Sequence, residues 1–286
     1  MPRSRHEATR VETTVDGLRR WRNQIKSSIG LVPTMGALHE GHLTLVRQAR
    51  RENDLVAVSI FVNPTQFDEQ HDFAAYPRDL ESDLRLLREQ QVELVFVPPV
   101  EEMYPAGFAT SIDVAGLSEP LEGEFRPGHF RGVATVVARL LTLFQPTRAY
   151  FGRKDYQQLI IIQRMVRDLG MPISIVGSPT VREVDGLAFS SRNRLLTPVE
   201  RAAAARIPEA IIQARTLFQA GERAAGWICQ VVSDELAKEP LIEIEYVTIR
   251  NGETLAEQAV LDPTSVLLIA VRIGNVRLID NLIFSE

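Results

Sequence analysis

From Ser28 to Val176, short apolar runs alternate with longer stretches whose apolar residues recur at helical spacing. Residues 1–10 are polar and expected to be mobile. Val11–Ile25 reads as a helix with Val15, Leu18 and Trp21 on one face. Ser28–Val32 reads as a strand that breaks at Pro33, turns through Gly36 and enters a helix at Gly41, with Leu43, Val46 and Ala49 facing inward. Asp54–Val62 is apolar throughout, as a parallel strand covered on both faces would be, and Asn63-Pro64 stops it. A helix over Arg78–Gln91 (Leu80, Leu84 and Leu87 inward) leads to a strand at Val92–Val97. After the long irregular stretch Val100–Gly132 come a helix, Val133–Phe144, and a strand, Arg148–Phe151. A further helix runs to Leu169 and stops at Gly170, and Pro172–Val176 is the last strand of the series. This alternation predicts an α/β fold: a Rossmann-like parallel sheet with helices on both faces. From Thr197 the pattern changes to helices (Pro198–Ala220, Ala225–Lys238) and then strands (Ile242–Arg250, Ser265–Ile273, Val276–Phe284), with Gly274-Asn275 as a tight hairpin turn. It predicts a smaller C-terminal α+β domain with a three-stranded antiparallel sheet. The boundary is placed to give domains 1–185 and 186–286, with Asp185–Asn193 as the hinge.

Composition narrows the function classes. The chain has 286 residues, 45% hydrophobic and 24% charged, the profile of an ordinary globular protein. A formal net charge of -5 argues against nucleic acid or an anionic membrane as partner. The single cysteine, Cys229, excludes an intramolecular disulfide and a multi-cysteine zinc site, and its Ala/Val-rich surroundings predict a buried small side chain. No apolar run reaches membrane-spanning length and the N-terminus lacks a secretory apolar core, so a cytoplasmic location is expected.

Ligands in a parallel α/β sheet bind at the carboxyl ends of the strands. The candidates are therefore Pro33–His42, Asn63–Phe67, Gly152–Gln158 and the segment after Val176. The first ends in His39-Glu40-Gly41-His42 at a helix start, where the dipole and unpaired N–H groups favour an anion and two imidazoles three residues apart can share one face. The bland reading is a histidine cap on an ordinary strand–turn–helix. Ser190-Ser191-Arg192-Asn193 offers hydroxyls and a guanidinium to a polyphosphate, or a helix cap. Arg126, His129 and Arg131 lie in the long irregular stretch, either bent toward a ligand or solvated. There is no G-x-G-x-x-G or Walker fingerprint, no H-E-x-x-H zinc motif and no nucleophile triad. The inventory is one of hydrogen-bond donors to phosphate, which favours positioning and charge neutralisation over covalent attack.

Five separated motifs then resemble one family. They are Pro33–His42, Phe61–Phe67, Arg126–Gly132, Phe151-Gly152-x-Lys154-Asp155-x-Gln157-Gln158 and Ser190–Asn193. The chain is similar in them to the pantoate–β-alanine ligases, a His-x-Gly-His nucleotidyltransferase group related to class I aminoacyl-tRNA synthetases. The resemblance implies ATP-dependent condensation of pantoate with β-alanine through a pantoyl adenylate, with Mg2+ and with pantoate and β-alanine as substrates. It implies a homodimer. It implies catalytic roles for His39, His42, Lys154, Ser190, Ser191 and Arg192. ATP contacts are implied for Met35, Gly36, Ala37, Leu38, His39, Glu40, Gly41, His42, Gly152, Arg153, Lys154, Asp155, Val181, Phe189, Ser190, Ser191 and Arg192. Substrate contacts are implied for Asn63, Gln66, Arg126, His129 and Gln158, and no protein metal ligand is assigned. Arg153 departs from the pattern, standing where the family carries Glu or Gln. The competing expectation is a nucleotidyltransferase of the same group acting on another acceptor.

Overall fold

The computed structural model describes residues 9–67, 73–74 and 76–285. The expectation of a mobile N-terminus falls mostly on residues 1–8, outside that range. Contacts divide the chain into two compact units. One takes the described residues through Arg153 together with Ile161–Ser178, and the other takes Lys154–Ile160 and Pro179 onward. The second thus includes two stretches, 154–160 and 179–185, that the sequence reading assigned to the first. Within the C-terminal unit, the Tyr156 hydroxyl donates to the Gly252 carbonyl at 2.9 Å, and Arg182 pairs with Asp280.

The first unit is built on six parallel strands, β1 (Arg10–Glu12), β2 (Ile29–Thr34), β3 (Leu55–Ile60), β4 (Leu94–Phe96), β5 (Arg148–Gly152) and β6 (Ser174–Ser178), in the order β1-β4-β3-β2-β5-β6. Helices Glu40–Glu52 and Leu80–Glu89 cover one face, where Leu45, Val46, Ala49 and Leu87 meet Val32, Val56, Val58 and Val95. On the other face Phe96 stacks edge-on against Phe144 of the His129–Phe144 helix. The order reverses between β2 and β5, the switch point at which such sheets bind ligands.

Several boundaries differ from expectation. Arg10–Glu12 is a strand beside β4, so the first helix starts at Val15, capped by Thr14. Three residues are too short for periodicity to reveal. β2 continues through Pro33 to Thr34. Ile29 accepts from Thr147 while Ser28 and Thr34 accept from the β3 side, so Pro33, two pleats on from Leu31, faces β5. The β2–β5 ladder ends at Leu31, and the missing N–H costs no bond there. The stretch expected to be irregular holds short helices at Val100–Met103 and Glu122–Phe125, and the helix expected from Val133 begins at His129.

The second unit packs helices Arg206–Gln219 and Ala225–Leu236 on an antiparallel sheet of β7 (Ile242–Asn251), β8 (Ser265–Ile273) and β9 (Val276–Ile283). The expected helix Pro198–Ala220 is two helices, Pro198–Ala203 and Arg206–Gln219. Pro208 has no N–H to return to Ala204, and the chain tightens at Ala204-Ala205 instead. The β8–β9 hairpin turns at Gly274, φ +55°. Cys229 is half-buried, and burial pushes its thiol pKa up.

Candidate active site

The histidine loop leaves β2 through Gly36 and Ala37, both at positive φ (84° and 50°). A Cβ at Gly36 would stand 2.9 Å from an Asp83 carboxylate oxygen, so glycine is required there for space as well as conformation. Asp83 is only 3% exposed, and its two oxygens accept the Ala37 and Leu38 amides at 2.9 and 2.7 Å. The Ala37 and Leu38 amides are therefore held by an internal carboxylate. Sequence reasoning missed Asp83. The signal was there, for it lies on the apolar stripe of Leu80, Leu84 and Leu87, where a charged residue needs a reason.

The helix cap is made of imidazoles. His39 is the N-cap, its Nδ1 accepting the Gly41 amide at 3.2 Å, and His42 Nδ1 accepts the His39 amide at 3.3 Å. The capping reading is thus correct, and it does not compete with ligand binding. An imidazole whose Nδ1 accepts carries its proton on Nε2 in the neutral form. The rings lie with centroids 4.1 Å apart, tilted by 39°. The cap fixes the tautomer of both histidines as Nε2–H donors.

The Asn63–Gln66 turn is a saturated network. Asn63 is 1% exposed. Its Nδ2 donates to Gln66 Oε1 (3.0 Å) and the Gly132 carbonyl (3.2 Å), and its Oδ1 accepts from the Tyr104 hydroxyl (2.7 Å). Burial raises the Tyr104 pKa, keeping the phenol a donor. Gln66 Nε2 points to the Met35 sulfur at 3.1 Å. His129, expected at the substrate, is buried, its Nδ1 2.8 Å from the Gln66 carbonyl. Arg126 reaches His129 Nε2 at 3.2 Å and the same carbonyl at 3.3 Å. Asn63, Arg126 and His129 thus brace Gln66. Gly132 permits the close approach, since a Cβ there would sit 2.3 Å from the Thr65 carbonyl oxygen.

Gly152 and Arg153 leave the carboxyl end of β5, and the Arg153 Nε donates to the Gly177 carbonyl at 3.0 Å. That engages the side chain with the end of β6. In the second unit, Lys154 Nζ lies 3.4 Å from Asp155 Oδ1, and Gln158 is half-buried on the Tyr156–Asp168 helix. Val181 and Phe189 close a tight loop, the Phe189 amide donating to the Val181 carbonyl at 2.9 Å. Ser190 Oγ caps the following turn, Ser191–Leu195, accepting the Arg192 amide at 3.2 Å. Arg201 pairs with Glu183 and Asp185 at 2.7 and 2.6 Å. Glu40 pairs with Arg47. Among the described residues no three His, Cys, Asp or Glu side chains cluster as a metal cage, and no helix is long and apolar enough to cross a membrane.

A parallel sheet whose switch-point strand enters a helix capped by two histidines defines a doubly wound α/β fold with polar donors at the place where such sheets bind ligands. Comparison with known proteins sharpens this. The pantoate-beta-alanine ligase family model matches residues 8–283. The pantothenate synthetase of Herpetosiphon aurantiacus is 51% identical over 96% of this chain and 99% of its own length, and that of Moorella thermoacetica 54% identical over 90% of each. The crystal structure of the Thermus thermophilus pantothenate synthetase superposes with a TM-score of 0.92 at 48% identity, over 96% of this chain and 99% of that one. The Francisella tularensis pantoate-beta-alanine ligase, solved with beta-gamma ATP and beta-alanine, gives 0.81 at 34% identity over 98% and 99%. The chain belongs to the pantoate–β-alanine ligase family and is an ATP-dependent ligase of pantothenate biosynthesis.

Proposed function

We propose that adenylation in this chain runs on the Nε2–H groups of His39 and His42, which donate to phosphate oxygens of ATP. The cap geometry carries the reading. Both Nδ1 atoms are committed to the main chain, so both neutral rings carry their protons at Nε2. A pantoate carboxylate oxygen forms a bond to the α-phosphorus, the bond to the bridging oxygen breaks, and pyrophosphate leaves with the electron pair. The β-alanine amine then attacks the acyl carbon, forming the amide; AMP leaves and the amine gives up a proton.

The remaining roles follow the resemblance and the local geometry. Met35–Leu38, Glu40, Gly41, Gly152, Arg153, Asp155, Val181 and Phe189 line the nucleotide. Lys154, Ser190, Ser191 and Arg192 offset charge on the phosphates as pyrophosphate departs. Gln66 and Gln158 hold pantoate through amides that both donate and accept. Asn63, Arg126 and His129 act on pantoate through Gln66. Mg2+ enters as part of the co-substrate, held mainly by the triphosphate, as suits an ion that keeps its waters and takes few protein ligands. The resemblance also supports a cytoplasmic homodimer, which sedimentation at working concentration tests.

Mass-spectrometric product analysis with ATP, pantoate and β-alanine tests the reaction. Pantothenate, AMP and pyrophosphate are expected. A stable adenylylated acceptor with no amide would instead support the related nucleotidyltransferase reading.

A further inference from the structure

Strand β9 carries two adjacent buried polar residues, Asp280 and Asn281, 3% and 5% exposed. Consecutive strand residues face opposite sides. Asp280 shares its face with Leu278 and Leu282 of the C-terminal core, and Asn281 points the other way. Buried polar groups need partners, and each of these holds a different stretch of the same unit. Asp280 accepts both terminal nitrogens of Arg182 at 2.7 and 3.0 Å. Arg182 follows Val181, whose carbonyl accepts from Phe189, so the ion pair ties the root of the 181–193 loop to β9. β9 also packs beside the Ser191–Leu195 turn. Asn281 Nδ2 donates to the main-chain carbonyl of Lys154 at 2.9 Å.

We propose that Asn281, with Asp280 beside it, is a positioning residue: this strand sets where Lys154 stands relative to the Ser190–Arg192 turn. The inference rests on the reading of those residues as phosphate contacts. Asn281 acts through the Lys154 backbone and touches no reacting group. Lysine carries its charge on a flexible stem, so the position of its main chain decides which points the ammonium can hold. Displacing a catalytic group by about 1 Å can cost on the order of 10²-fold in rate. Loosening one hydrogen bond at its root is expected to cost about tenfold.

The test is pantoate-dependent ATP–pyrophosphate exchange by the full chain carrying Asn281→Ala, Lys154→Ala or both. Asn281→Ala should lower the maximal exchange rate about tenfold with the pantoate KM within about twofold. Asn281→Asp, isosteric but unable to donate, should fall at least as far, and both should keep cooperative unfolding. In the Lys154→Ala background, Asn281→Ala should cost less than about twofold, because the positioned side chain is gone. An Asn281→Ala chain exchanging at the wild-type rate, or losses that multiply in the double variant, would make the contact merely structural and overturn the proposal. Wild-type exchange by Lys154→Ala alone would remove the reading beneath it as well, and so identifies itself as that failure.

Discussion

The Pro33–His42 loop and the 181–193 loop both carry donors past a strand end, yet they are held by opposite means. In the first, main-chain amides are clamped by a buried carboxylate and by the two imidazoles themselves. In the second, side-chain ion pairs do the holding: Arg182 with buried Asp280, and Arg201 with Glu183 and Asp185. Backbone clamps in a buried setting are little affected by salt, whereas partly exposed ion pairs are screened by it. The neutral histidines are presented in one tautomer, while the serine–arginine turn keeps a frame that added salt can loosen.

Changes that break each frame should rank accordingly. The largest effect on stability is expected from Arg182→Ala, which leaves Asp280, its side chain 1% exposed, without its cation. A loss of about 3–5 kcal/mol in urea unfolding is the expected size. His42→Ala should lower pantoate-dependent pyrophosphate exchange by about 10²–10³-fold, and Lys154→Ala similarly, the usual cost of removing one preorganised donor. His42→Ala also removes half of a capping box, about 1 kcal/mol of stability, so its chain should still fold. Gln66→Ala should weaken pantoate binding about tenfold in calorimetry and leave ATP binding unchanged. Equal weakening of both would mean that Gln66 organises the nucleotide site instead.

The smallest effect is at Asp185. The Arg201 guanidinium holds its carboxyl below the ordinary value of 3.8. A depressed carboxylate stabilises the fold above its unfolded pKa and loses that contribution as pH falls through the folded one. Asp185→Asn should therefore lower the melting temperature slightly at neutral pH, and the difference from wild type should vanish in strong acid. Its side chain is 37% exposed, so high salt should shrink the difference too. A pH-independent difference would contradict the ion-pair account of this loop.

Most of the architecture was legible because apolar periodicity reports burial directly. The alternation to Val176 and the Gly274-Asn275 turn both match observed elements. What escaped was set by long-range pairing: β1 exists because β4 offers it an edge, and β2 runs through Pro33 because the β5 ladder has already ended. At the site, residue types single out the loops past the strand ends but not which side chains hold one another there. Asn63 and His129 carry expectations as ligand contacts in sequence, and what sequence does not show is that both hydrogen-bond to Gln66. The unit boundary depends on similar long-range contacts: the Tyr156 hydroxyl donates to the main-chain carbonyl of Gly252, and Arg182 pairs with the Asp280 side chain of β9.

The presentation of two Nε2–H donors to the triphosphate is tested most directly by histidine-ring nitrogen-15 NMR. The chain has 5 histidines, and His39→Ala and His42→Ala variants assign the two signals in question. Both rings should show the Nε2–H tautomer, and both Nε2 resonances should shift when a non-hydrolysable ATP analogue is added with Mg2+. Nδ1–H tautomers, or resonances that stay in place through saturation with the analogue, would contradict it.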